Sequence, residues 1–239
     1  MLITTQLPLS AVLTVQAEPC GRAGIHFLNW RFIARKSADL SKFPGAFKGA
    51  GIYALCFNDA SIYVGSYLGE GTKGAYLEGN VVTSRLWTHV GAITMRGHRV
   101  HIARRSLSSL VKQFSMAHPM VKSLVEGQQP ELFEDNGNLA PLRRIRFAAE
   151  HWDSFSGDDP NAVLDRFSFC YVRFENYPAH LNALTLKQEI TSAEKRLIQR
   201  FAPVCNTTHV PRGKPAVTTS ADEICTEITA ALQHIINSK

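Results

Sequence analysis

Between Glu78 and Glu126 the chain carries no acidic residue. The same span holds seven cations, Arg85, Arg96, Arg99, Arg104, Arg105, Lys112 and Lys122, and four histidines. An ordinary solvated face mixes charges of both signs. A long run without one carboxylate is better explained by a polyanion lying against it. Other absences narrow the class further. No apolar run reaches the roughly 18 residues that a membrane span requires. The first residues, "MLITTQLPLSAVLTVQAE", lack a positive segment ahead of their apolar positions, so no signal peptide is expected. The five cysteines, at 20, 56, 170, 205 and 225, are scattered and include no C-x-x-C pair. Neither a disulfide framework nor a cysteine zinc site is expected, and the chain reads as reduced and cytoplasmic. Internal repeats and low-complexity linkers are also missing.

What remains is an ordinary globular composition with a basic balance. The 239 residues are 45% hydrophobic and 19% charged, with a net charge of +6. That length suits one large domain, or a core with an insertion. Residues 51–57 and 60–65 read as two strands joined by a tight turn at Asn58-Asp59. A glycine-rich loop follows. Then Val82, Leu86, Val90 and Ile93 recur at helical spacing, with Asn80 or Thr83 able to cap the start. "HRVHIARRS" alternates apolar and basic residues as a half-buried strand would. "SLSSLVKQFSMAHPMVKSLVEG" reads as helix, broken or kinked by Pro119. Residues 166–176 form a strong strand pattern. Helices are expected around "EITSAEKRLIQRFAP", stopped by Pro203, and from Ser220, where Ser220 and Glu223 make a capping box.

The two strand triplets Gly51-Ile52-Tyr53 and Tyr63-Val64-Gly65, together with Arg85, Glu194 and Asn206, resemble the GIY-YIG nuclease family. In that family two such triplets lie on neighbouring strands. An arginine on the first helix, a glutamate on a later helix and an asparagine about a dozen residues further on complete the set. Leu197-Ile198 and Pro203, between Glu194 and Asn206, follow the same order. The resemblance covers residues 50–105 and roughly 165–207. Valine replaces isoleucine in the second triplet. His89, four residues after Arg85, shares a helical face with it. An Arg-x-x-x-His helix looks like the restriction-endonuclease branch of the family.

This resemblance implies an α+β fold, with a short, mainly antiparallel three-stranded sheet flanked by helices. The expected division is an N-terminal extension over 1–48, a nuclease core over 49–207 with an insertion at about 106–165, and a C-terminal loop and helix over 208–239. The implied activity is metal-dependent cleavage of double-stranded DNA, at defined sites if the restriction branch applies. Repair or mobile-element cutting, or a DNA-binding protein with an inactive site, are the alternatives. A palindromic site would need two active sites, hence a homodimer or a dimer formed on DNA. No membrane partner is expected, and a prokaryotic or phage cytoplasm is the expected setting.

Phosphodiester hydrolysis needs a positioned water, positive charge on the phosphoryl oxygens and help for the departing 3′ oxygen. Arg85 supplies a forked donor matched to phosphate. Glu194 is the candidate ligand for one Mg²⁺ (or Mn²⁺) per active site, since no other carboxylate accompanies the motif. Tyr53 is assigned to positioning or deprotonating the water, and Tyr63 to holding the water or the phosphate. His89 shares proton transfer or contacts the phosphate. Tyrosine titrates near ~10, so about one in a thousand is phenolate at pH 7 without perturbation, whereas histidine needs no such help. Lys73, Arg96, Arg99, Arg104 and Arg105 are candidate phosphate or DNA contacts. Gly51 and Gly65 leave room at the site, and Asn206 ties the glutamate helix to the sheet.

Other features read more plainly. Asp153, Asp158 and Asp159 fit a polar turn better than a cation site. "GEGTKGAY" is not a P-loop, because its lysine is not followed by Ser or Thr at a helix start. Cys205 and His209 are spaced C-x₃-H, but no second pair completes a zinc site. "PRGKP" is either a basic loop on a phosphate backbone or a solvated turn. Trp30, Trp87 and Trp152 read as packing.

Overall fold

The computed structural model describes residues 1–18, 21–22, 24–35, 47–69, 79–127, 132–133, 140–176, 178 and 180–238. In chain order the strands are β1 (Leu2–Pro8), β2 (Leu13–Ala17), β3 (Trp30–Ala34), β4 (Ala50–Phe57), β5 (Ala60–Leu68) and β6 (Phe167–Phe174). A π-helical turn, Val82–Leu86, runs into α1 (Trp87–Ile93). The helices that follow are α2 (Arg104–Phe114), α3 (Pro119–Glu126), α4 (Leu142–Glu150), α5 (Trp152–Phe155), α6 (Pro160–Leu164), α7 (Ala183–Phe201) and α8 (Ala221–Asn237). The class is α+β. Two compact units divide the chain, one of residues 1–12, 35–85 and 164–239, the other of 13–34 and 86–163.

The first unit is built on an antiparallel sheet in the order β1-β6-β4-β5. It has four strands where three were expected. The fourth is β1, from the segment read as an extension. It lies at an edge and is only half buried, so its sequence shows no clear alternation. β4 is central and buried along its whole length. Asn58 and Asp59 both have positive φ, 47° and 67°, as a two-residue hairpin turn between twisted strands requires. One face of the sheet, with Ile52, Ala54, Val64 and Val172, packs against Leu186, Ile190 and Leu197 of α7 and Ile224, Ile228 and Leu232 of α8. Burial of each large aliphatic side chain contributes about 1.5–3 kcal/mol. α7 is capped by Asn182, whose side chain accepts from Thr185 N, and it ends at Ala202 in the left-handed region, just before Pro203. Ser220 caps α8 by accepting from Glu223 N.

Cys170 of β6 and Cys225 of α8 form a disulfide, with Cα atoms 5.9 Å apart. This corrects the expectation of a fully reduced chain. The pair is 55 residues apart in sequence, and only the packing of α8 on the sheet brings the two together. Cys56 and Cys205 are buried and form no part of this disulfide. No described helix is long and apolar enough to cross a membrane.

The second unit pairs β2 with β3 and gathers α1 to α5. It begins at Leu86, not near 106, and takes residues 13–34 from the expected N-terminal extension. Residues 98–103 are not a strand. Ile102 makes isolated bridges to Phe133 and Ala140, and α2 starts at Arg104. The alternation of "HRVHIARRS" therefore reflects a short extended stretch followed by the first turn of a helix. Pro119 opens α3 as its first residue, where its missing N–H costs nothing.

Candidate active site

The two triplets lie side by side. Tyr53 of β4 is in register with Gly65 of β5, and Leu55 with Tyr63. Successive same-face positions of an antiparallel pair lie within reach of large side chains. The rings of Tyr53 and Tyr63 accordingly sit with centroids 6.0 Å apart, and their hydroxyls share a hydrogen bond. Each glycine has a steric reason. A Cβ on Gly65 would lie 2.8 Å from Tyr53 Oη and 2.9 Å from Tyr63 Cε1, so this glycine lets the first phenol pass over the second strand. A Cβ on Gly51 would collide with the carbonyl oxygen of Val172 and lie 2.7 Å from Arg173 Cα, so that glycine lets β4 and β6 approach.

β5 ends the sheet, and its outer edge is where the remaining groups converge. Asn206 Oδ1 accepts from Val64 N at 2.9 Å, and its Nδ2 donates to Val64 O at 2.7 Å. One side-chain amide thus replaces the strand missing from this edge. Cys205 N also donates to Ile62 O, at 2.9 Å. Two positions along from Val64, Ser66 presents its backbone N–H and its hydroxyl to Glu194 of α7. Ser66 Oγ donates to Glu194 Oε2 at 2.6 Å. Glu194 and Asn206 therefore occupy successive outward positions of the strand that carries Tyr63. Ser66 escaped notice in the sequence. The available signal was its place two residues after Val64, on the same side of an edge strand as whatever pairs there.

Arg85 is exposed, on the π-helical turn. Such single turns re-aim side chains and recur at functional sites. Its positive charge acts on both Tyr53 and Glu194. Burial raises the Glu194 carboxyl above the ordinary glutamate range; the Ser66 donors and the charges of His209 and Arg85 oppose this. His209, weighed in the sequence only as half of a C-x₃-H pair with Cys205, acts here on Glu194. It is exposed, with a positive φ of 64°. Tyr53 is 1% exposed, and burial, then the neighbouring Tyr63, push its hydroxyl well above the ordinary tyrosine value. Of the two roles expected of Tyr53, positioning the water and deprotonating it, this direction favours the first. Tyr63 is the half-buried member of the pair.

The structure thus brings Tyr53, Tyr63, Arg85 and Glu194 together, with Gly51, Gly65 and Asn206 as framework. His89 follows Arg85 by four residues, lies on α1 and is half-buried. Lys73 falls outside the described residues. Arg96 is not a DNA contact. Only 2% exposed, it donates to the carbonyls of Phe27, Phe155 and Gly157 and to Asn29 Oδ1, and it stacks over Trp30 at 3.8 Å. Burial lowers its pKa to about 10, against the charge of Asp158. Arg99, Arg104 and Arg105 are exposed residues of the second unit. Arg99 lies over the Trp87 ring at 5.4 Å and Arg104 over Phe133 at 4.5 Å.

Among the described residues no group of three or more His, Cys, Asp and Glu is placed to hold a metal ion. A lone, hydrogen-bonded carboxylate is a poor ligand set for zinc or calcium. It suits a Mg²⁺ ion that keeps most of its water, which is bound through one or two carboxylates and substrate phosphate. No family model, no curated protein and no solved structure matches the chain significantly.

Proposed function

We propose that the protein is a metal-dependent endonuclease that hydrolyses phosphodiester bonds of double-stranded DNA, site-specifically and as a dimer. The observation that carries this reading is a pair of hydrogen-bonded phenols on β4 and β5, with the charge of Arg85 acting on both Tyr53 and Glu194. Each group alone has a commonplace explanation in packing or surface charge. Their joint placement matches what phosphoryl transfer demands.

The roles follow from the environments. Arg85, exposed and planar, grips the phosphoryl oxygens with its paired N–H groups. Tyr63 holds the attacking water through its hydroxyl. Tyr53, buried and protonated, fixes Tyr63 through their shared hydrogen bond and is a positioning residue. Glu194, oriented by Ser66, is the protein ligand for one Mg²⁺. When bound, that ion would supply positive charge to the departing oxygen. Asn206 keeps β5 and the residues after α7 in register, so that Tyr63 and Glu194 stay on the same edge. Restriction-type cutting remains our preferred form, because of the Arg85-x-x-x-His89 spacing and the basic span of the second unit.

Incubation of supercoiled plasmid with the protein and Mg²⁺ tests the reading. Linear fragments with constant ends are expected, with no cutting in EDTA and none by Glu194→Ala. Cutting only of branched DNA would move the assignment to repair or mobile-element nucleases. Intact plasmid and intact branched DNA would leave a DNA-binding protein at most.

A further inference from the structure

We infer that the solvent-facing side of α2 reads base sequence from the major groove of duplex DNA; this inference rests on the nuclease reading above. Helix α2 is sharply two-sided. Ser106, Leu107 and Leu110 are buried, while Arg104, Arg105, Ser108, Lys112 and Gln113 are exposed and Ser109 is half-buried. At 3.6 residues per turn the polar residues cover one half of the cylinder and the apolar residues the other.

The polar half is unusual in three respects. It has no carboxylate, and it lies in the acid-free span, whereas an ordinary surface helix carries both signs and places acids in its first turn. It opens on two arginines, which its own dipole disfavours, so helix stability does not explain them. Its middle is occupied by Ser108 and Ser109, small enough to let the backbone come close to a partner. Around these serines stand the groups that recognise DNA. Arg105 offers the fork that matches guanine, and Gln113 the amide that matches adenine. Lys112 is a point charge for phosphate, and Arg104 is held in place over Phe133. The helix is about 16 Å long, and a major groove about 12 Å wide admits a helix of this kind. An acidic protein would also match the charge, but the stripe lacks the exposed aromatic or aliphatic anchor on which protein interfaces depend.

The test is selection from a pool of randomised 30-bp duplexes in EDTA, where nothing is cut, followed by fluorescence anisotropy on the selected sequence. The wild-type protein is expected to enrich one sequence. Arg105→Ala and Gln113→Ala should each relax the preference at one or two positions and weaken binding about tenfold. Ser108→Glu, which places a carboxylate in the middle of the stripe, should weaken it about a hundredfold, with unchanged melting temperature. The inference is overturned if these variants enrich the same sequence with the same affinity. It is equally overturned if they weaken all sequences alike, since that marks phosphate contact alone. A wild-type protein that cuts DNA while α2 variants keep its preference leaves the nuclease reading standing. One that neither binds nor cuts DNA removes both.

Discussion

The two units use their arginines in opposite ways. In the first unit Arg85 is exposed, and its charge acts on a carboxylate and a phenol. In the second Arg96 is sealed from solvent, with its donors committed to three carbonyls, an asparagine and a tryptophan face. Both belong to the same basic span; Arg85 is expected at the site from its place in the motif, Arg96 as a DNA contact from charge alone. What separates them is the partner. A guanidinium bound to uncharged protein oxygens in the interior holds a fold together, whereas one left at the surface near an edge strand is available to a substrate. A count of positive residues therefore overstates the charge that this chain offers at its surface.

Substitution sharpens the contrast. Arg85→Ala is expected to lower the rate of plasmid cleavage about a thousandfold, the scale of losing a principal transition-state donor, with no change in melting temperature. Arg96→Met should do the reverse. Emptied of its hydrogen bonds, the second unit should lose about 3 kcal/mol of stability, read by denaturant unfolding, because buried acceptors are left without donors. If Arg96→Met unfolds no more readily than wild type but fails to bind DNA, the contrast is broken.

Asn206→Ala is expected to cost about 2 kcal/mol, one unit for each backbone bond lost at the edge of β5, and to slow cleavage as Tyr63 and Glu194 drift apart. Glu194→Gln should separate stability from activity. Burial raises the Glu194 carboxyl, so the folded protein holds that proton more tightly than the unfolded chain does. The stability of the wild type should then fall as pH rises from about 4.3 through the folded value, and the glutamine variant should lack this slope. Near neutral pH the variant should melt on the order of 2 °C higher while cutting nothing. Calorimetry at several pH values checks this, and parallel pH profiles for the two proteins would refute it.

Much of the first unit was legible in the sequence because its signals are local or strongly spaced. Asn58-Asp59 announces its turn, Ser220 and Glu223 announce a helix start, and the motif residues keep a fixed order. The rest depended on long-range packing. β1 is an edge strand too exposed to alternate clearly. Cys170 and Cys225 meet only when α8 crosses the sheet. Residues 13–34 give no sign that they belong with 86–163. Arg96 looks like Arg99 in sequence, and only burial tells them apart. Nothing in the sequence ranks Tyr53 and Tyr63 by exposure, and it is the crossing of one ring over Gly65 that buries Tyr53 while Tyr63 stays half-buried.

The central claim is that Tyr63, Arg85 and Glu194 act as one site. A double-mutant cycle in single-turnover cleavage of a duplex carrying the cut sequence, with Tyr63→Phe and Arg85→Ala, addresses it most directly. If the groups serve one transition state, the double variant should be no more than about threefold slower than the slower single variant. Losses that multiply fully would mean that the two side chains act independently, and the shared site at the edge of β5 would have to be abandoned.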